Sequence, residues 1–215
     1  MRGLYAIVDA ATLEKAQIKP LLFASALVSV KPAALQLRAK ALPPSEILAL
    51  LKALVPICRE AGVPLIANDH ADLAKKAGCW GVHIGQDMTV EQVRRVDPHL
   101  HVGMSTHTTE QLTKALALRP SYVAYGPVFP TVSKHDAAPV VGIDGLKAAS
   151  LLAKAASIPL VAIGGIREQN VDEIAKYADA CALIGGLVPA PHINDHDRLP
   201  EVIRRATAYQ RAFGG

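Results

Sequence analysis

Aromatic residues make up only 4% of this chain. Any core must therefore be aliphatic, and a chain of 215 residues with 51% hydrophobic content can bury one of substantial size. The same scarcity removes the stacking platforms that single-stranded nucleic acid would need. Cysteine is as sparse. Cys58, Cys79 and Cys181 are odd in number and widely spaced, which argues against a disulfide framework or a zinc site and for a reducing compartment. Long apolar runs are missing too. The stretch from Leu21 to Val30 falls far short of the roughly 20 residues of a membrane span. Asp9 and Glu14 break the N-terminal apolar stretch too early for a secretory signal. No low-complexity tract or linker divides the sequence. The expectation is one cytoplasmic domain over residues 1–215, with no nucleic-acid or membrane partner and with homo-oligomerisation left open.

The net charge is +4 and the sequence pI about 9.0. The basic residues are scattered, and Arg38 and Lys40 stand where a strand should end. Attraction of small anionic substrates explains that balance without a polyanionic partner.

What is present is an alternation. Short apolar runs at Leu4–Val8, Ala34–Leu37, Leu65–Ala67, Gly81–Ile84, His101–Met104, Tyr122–Tyr125, Leu160–Ile163 and Cys181–Ile184 read as buried parallel strands. Segments of helical spacing lie between them. The clearest is Ser45–Ala61, where Ile47, Leu48, Leu51, Leu54, Val55 and Cys58 form one stripe, with Ser45 as N-cap and Gly62 past the C-terminus. Thr108–Leu118, Ile143–Ala156 and Pro200–Phe213 are amphipathic in the same way, and Ala71–Ala77 and Val90–Val96 are shorter. Strand then helix, repeated about eight times in a chain of this size, predicts a single compact TIM (β/α)8 barrel. An open doubly wound sheet is the competitor, but no G-x-G-x-x-G follows the first strand.

Active-site residues of such a barrel follow the carboxyl ends of the strands, and polar residues stand there. Leu65-Ile66-Ala67 stops at Asn68-Asp69, and Gly81-Val82-His83-Ile84-Gly85-Gln86 at Asp87. Two carboxylates at one open end suit a shared Mg²⁺ with positions left for phosphate oxygens. Gln36-Leu37-Arg38-Ala39-Lys40 ends the second strand, Ser105-Thr106-His107 the fifth, and Gly126 to Lys134 follow the sixth. Gly164-Gly165 and Gly185-Gly186 suit close backbone approach to phosphate. Each signal also has a plainer reading: Asn68-Asp69 as a helix cap, Gly164-Gly165 as a tight turn, Arg38 and Lys40 as a solvated pair. His83 reads as a core or strand-end histidine. His192, Asp195, His196 and Asp197 read as a surface loop rather than a metal cluster.

Taken together, these residues resemble the thiamine-phosphate synthase family. Its pattern Q-x-R-x-K, N-D, G-V-H-x-G-Q-x-D, G-x-S-x-H-T, G-P-x-x-x-T-x-[TS]-K and I-G-G-I runs from Leu4 to about Leu187. The resemblance implies a (β/α)8 barrel that joins hydroxymethylpyrimidine diphosphate to a thiazole phosphate, with Mg²⁺. It gives Arg38, Lys40, Asn68 and Lys134 the diphosphate, and Gln36 and Ser105 the pyrimidine. Asp69 and an acidic residue after Gln86 would hold the metal. Thr131, Val132, Ser133 and Gly165, with Ile184 and Gly185, would hold the thiazole phosphate. Three positions depart from the pattern. Ala39 replaces Glu, Gly185 replaces Ser, and Gln86-Asp87-Met88 stands where the family has Q-x-D. A one-residue deletion there makes Asp87 the metal ligand and restores the spacing to Ser105. Three rivals are a thiazole tautomerase using His107, a regulatory barrel without turnover, and another phosphate-binding barrel enzyme.

Overall fold

The computed structural model describes residues 1–131 and 138–214. Eight parallel strands close on themselves in chain order: β1 (Gly3–Asp9), β2 (Ala34–Arg38), β3 (Leu65–Asn68), β4 (Gly81–Ile84), β5 (His101–Thr106), β6 (Tyr122–Tyr125), β7 (Leu160–Ile163) and β8 (Ala180–Leu183). Closure is made by β1 on β8, with Gly3 opposite Ala180 and Leu4 opposite Cys181. Each expected strand is present, within a residue or two of its expected ends. They were easy to read because both faces are buried, so each run is apolar throughout until it meets the rim. The competing open sheet is excluded.

The side chains of each strand divide between two cores. Along β1, Tyr5 and Ile7 join Ala34, Ile66, Tyr122, Ala124 and Val161 inside the barrel, while Leu4, Ala6 and Val8 pack outward against the helices. The aromatics divide between the two cores, with Phe23, Tyr125, Tyr209 and Phe213 in the outer one. Tyr5 and Tyr122 fill the barrel interior, and Trp80 stacks on His101 at 3.8 Å between ring centroids.

The outer layer comprises α1 (Ala10–Lys15), α2 (Pro20–Val28), α3 (Pro44–Ala61), α4 (Ala71–Ala77), α5 (Val90–Val96), α6 (Thr109–Ala117), α7 (Gly142–Ala156), α8 (Val171–Ile174) and α9 (Asp195–Ala212). The stripe of α3 is as expected: Ile47, Leu51, Leu54 and Cys58 are buried, and Gly62 takes the left-handed conformation (φ 70°) that ends the helix. Its start is not. Pro44, with φ preset, is the first helical residue and Pro43 precedes it in extended form, so Ser45 is inside the helix and not its cap.

The last helix begins at Asp195, five residues before the expected Pro200. Asp195, His196 and Asp197 therefore form its exposed first turn, not a loop. α1, α2 and the one-turn α8 were not expected. α2 packs against β1, α3 and α9, but its exposed side carries Leu21 and Leu22, so no contrast of polar and apolar faces marks a helical stripe. Among the described residues, no helix is long and apolar enough to cross a membrane.

Candidate active site

The strand register brings the polar ends together. Asp9 is opposite Arg38, Asn68 opposite His83, and His83 opposite Gly103. Two cavities open at this end of the barrel. The smaller, about 80 Å³, is lined by Gln36, Arg38, Lys40, Asn68, Asp69, His83, Gly85 and Ser105 above a floor that includes Tyr5 and Tyr122. The larger, about 910 Å³, lies over β6 to β8 and is lined by His107, Thr131, Gly164, Gly165, Gly185, Gly186 and Arg205. Ile163, Ala182 and Ile184 line both, so the cavities are contiguous.

Arg38 is anchored at the rim. Its guanidinium donates to Asp9, which also accepts from the backbone N–H and hydroxyl of Thr12 and so caps α1. Burial works against the Asp9 carboxylate, but the hydrogen bonds from Thr12 and Arg38 outweigh it and hold its pKa below the usual carboxylate range. Lys40 reaches Asp69 at 3.4 Å and is mostly exposed, so the pair is loosely held and well screened by solvent. Alternation was expected to turn Arg38 and Lys40 to one side, and both do line the smaller cavity.

Asp69 is strained. Its φ is 64°, and His70 N–H donates to the Asn68 carbonyl at 2.9 Å across it, closing a three-residue turn. The turn is pinned on both sides. Asp69 N–H donates to the His83 carbonyl at 2.9 Å, and the Asn68 amide donates to the Asp69 carboxylate at 2.6 Å. Backbone strain of this kind gathers at functional sites.

The floor is a hydrogen-bonded file. Gln36 donates to the Tyr5 hydroxyl, which meets the Tyr122 hydroxyl. Tyr122 meets His83 Nδ1, and His83 Nε2 meets Ser105 Oγ. Burial pushes both phenols above their ordinary pKa, so they are neutral hydroxyls.

Across the larger cavity, Gly164 and Gly165 both take positive φ, 98° and 65°. A Cβ on Gly165 would overlap Phe129 and the Pro130 carbonyl, so the loop after β6 lies directly on this glycine pair. His107 Nδ1 donates to the Gly126 carbonyl at 2.6 Å, which places a proton on that nitrogen.

Residues 4–187 match the family described as thiamine monophosphate synthase. The chain belongs to that family. A thiamine-phosphate synthase of Roseiflexus sp. (strain RS-1) is 36% identical over 184 residues, 84% of this chain and 77% of that protein. Another, from Koribacter versatilis (strain Ellin345), is 43% identical over 197 residues, 87% of this chain and 90% of the relative. The solved thiamine phosphate pyrophosphorylase from Pyrococcus furiosus is similar in fold with a TM-score of 0.78 at 28% identity, covering 99% of this chain and 97% of the other. Mycobacterium tuberculosis tryptophan synthase is similar at a TM-score of 0.70 and 14% identity, a likeness of fold alone.

Of the residues that the thiamine-phosphate synthase resemblance singled out, Gln36, Arg38, Lys40, Asn68, Asp69 and Ser105 line the smaller cavity, Thr131, Gly165 and Gly185 the larger, and Ile184 both. Val132, Ser133 and Lys134 lie outside the described residues. Asp87 is exposed in the turn after β4 and lines neither cavity. Sequence reasoning missed Asp9, Tyr5 and Tyr122. Asp9 carried a signal, since it ends an apolar strand as Asp69 does. The tyrosines carried none, because only barrel closure brings them together.

Proposed function

We propose that this member of the thiamine-phosphate synthase family joins hydroxymethylpyrimidine diphosphate to thiazole phosphate, giving thiamine phosphate and diphosphate. The family match over residues 4–187 carries the reading. A small polar cavity beside a larger glycine-walled one supports it, since two different phosphorylated substrates must meet. In the reaction, the bond between the pyrimidine methylene carbon and the diphosphate oxygen breaks with both electrons leaving on diphosphate. The thiazole nitrogen lone pair then forms the C–N bond. Arg38, Lys40 and Lys134 offset the charge that builds on the leaving group, and Asn68 orients it. Gln36 and Ser105 hold the pyrimidine. Thr131, Val132, Ser133, Gly165, Ile184 and Gly185 hold the thiazole phosphate. No strong base is needed, and His107, its Nδ1 proton held by Gly126, is not asked to act as one.

Asp69 fits Mg²⁺ in donor chemistry. It offers a part-exposed carboxylate at the cavity edge, and Mg²⁺ commonly takes one or two carboxylates with substrate phosphates completing its shell. Among the described residues no group of three or more His, Cys, Asp or Glu forms a closed cage, so diphosphate oxygens would complete the set. Asp69 would hold the ion at the cavity edge and Asp87 would reach it from the exposed turn after β4, outside the cavity lining, and the ion would supply Lewis-acid stabilisation of the departing diphosphate. A cytoplasmic setting goes with this reading, in keeping with the free thiols of Cys58, Cys79 and Cys181.

A coupled assay for diphosphate tests the proposal. Release should need both substrates, fall in excess chelator, and drop by roughly 10²-fold in Arg38→Ala, Lys40→Ala or Lys134→Ala. Asp87→Asn should cost far more than Met88→Ala. Full activity under chelation would remove Mg²⁺ from the scheme, and equal tolerance at positions 87 and 88 would refute the one-residue deletion.

A further inference from the structure

The file under the smaller cavity has a direction. Its five side chains come from five strands: Gln36 from β2, Tyr5 from β1, Tyr122 from β6, His83 from β4 and Ser105 from β5. The links are 3.1 Å from Gln36 Nε2 to Tyr5, 2.7 Å from Tyr5 to Tyr122, 2.9 Å from Tyr122 to His83 Nδ1, and 2.8 Å from His83 Nε2 to Ser105 Oγ. An amide nitrogen only donates, so Tyr5 accepts from Gln36 and passes its own proton to Tyr122. Tyr122, having accepted, donates to His83 Nδ1. A neutral imidazole that accepts at Nδ1 carries its proton on Nε2 and gives it to Ser105. The Ser105 hydroxyl proton is then left for the cavity, and Gln36 keeps Oε1 as its acceptor. Reversing any one link would force every other group to reverse with it, including the amide and the imidazole tautomer.

The barrel is shaped around this file. Tyr122 is opposite Gly103, and a Cβ on Gly103 would fall inside the phenol ring. The missing side chain is what lets the ring cross β5 towards His83, whose ring it overlaps at 5.6 Å between centroids. Burial keeps both phenols protonated, so each is able to accept one hydrogen bond and donate another.

We propose that the Tyr5–Tyr122–His83 file fixes the polarity of the pyrimidine subsite, with Ser105 as donor and Gln36 Oε1 as acceptor. Such a pair reads a ring nitrogen beside an exocyclic amino group, which offers one acceptor and one donor. An oxo-pyrimidine offers a ring N–H and a carbonyl at the same edge, so both contacts would face their own kind. The inference rests on the assignment of Gln36 and Ser105 to the pyrimidine. Tyr5, Tyr122 and His83 are positioning residues, since they act through those two. A site committed in this way discriminates strongly, because the wrong ligand leaves buried polar groups unpaired.

Two measurements test it. In free protein with ¹⁵N-labelled histidine, ring correlation spectra should show His83 as the neutral Nε2-protonated tautomer near neutral pH, its signal assigned by loss in His83→Gln. Tyr122→Phe should convert it to a mixture. An Nδ1-protonated ring or an imidazolium in the wild type would overturn the proposal. This readout needs no substrate and stands even if the chain catalyses no condensation.

In kinetics, Tyr122→Phe and Tyr5→Phe should raise the KM for the aminopyrimidine diphosphate about 10-fold and cut its preference over the oxo analogue by a similar factor. The thiazole phosphate KM should stay unchanged. His83→Gln, which offers an amide nitrogen near the place of Nε2, should keep more of the preference than His83→Ala. Melting curves exclude variants that fail to fold. An intact preference in folded Tyr122→Phe, or a KM rising equally for both substrates, would refute the file while leaving the condensation reading intact.

Discussion

Asp9 serves fold and site at once. The same carboxylate caps α1 through Thr12 and holds the Arg38 guanidinium at the rim. Asp9→Asn should therefore weaken catalysis in the same direction as Arg38→Ala but less, by about 10-fold, through the KM of the diphosphate substrate. Titration adds a second test. The folded carboxylate has a lowered pKa, so its ionised form contributes stability above the unfolded value of about 3.9, and the contribution is lost as pH falls through the lower folded value. The stability gap between wild type and Asp9→Asn should be full at neutral pH and close in acid. A gap that persists unchanged below the carboxylate range would show that the ion pair is not its source.

Asp69 makes the opposite trade. A non-glycine residue at φ 64° is strained, by roughly 1–3 kcal/mol for such outliers, and glycine removes that strain. Asp69→Gly should leave thermal stability unchanged or slightly higher while activity collapses. A clear loss of stability would mean that the turn, not the chemistry, requires the carboxylate.

Elements differ in how much of themselves they disclosed. The eight strands were legible because a barrel buries both faces of each, leaving an uninterrupted apolar run that ends at a polar rim residue. α3 was legible by its stripe, except at its start, where consecutive prolines set the boundary more strongly than a serine cap would. α2 has no polar face to give it away. The rim residues Gln36, Arg38, Lys40, Asn68, Asp69 and Ser105 could be named from strand ends and motifs, and the structure brings all six to one cavity. The floor beneath them was not legible, since Tyr5 and Tyr122 are 117 residues apart and nothing local marks the pair.

The glycine pair after β7 belongs to the same scale. Gly165→Val would combine positive φ with overlap against the Pro130 carbonyl, displacing the loop after β6. The KM for thiazole phosphate should rise several-fold while that for the pyrimidine diphosphate holds. Equal rises would place the thiazole phosphate elsewhere.

At the scale of the molecule, barrel closure makes one site of two chemistries. β2 to β5 carry the cationic, hydrogen-bonding half, and β6 to β8 the glycine-walled half, joined through Ile163, Ala182 and Ile184. That division suits condensation of two substrates more than rearrangement of one, for which the cationic half would be idle. The thiamine-phosphate synthase and thiazole tautomerase readings also separate at His107. Condensation should survive His107→Ala measurably, whereas isomerisation should fall by about 10²–10⁴-fold, the usual range for general acid–base help.

The most direct measurement follows wild-type protein by NMR in deuterated buffer with both substrates and Mg²⁺. Thiamine phosphate and diphosphate should appear in equal amounts, with no faster exchange or isomerisation of the thiazole ring. Rapid isomerisation of the thiazole phosphate without diphosphate release would contradict the assignment.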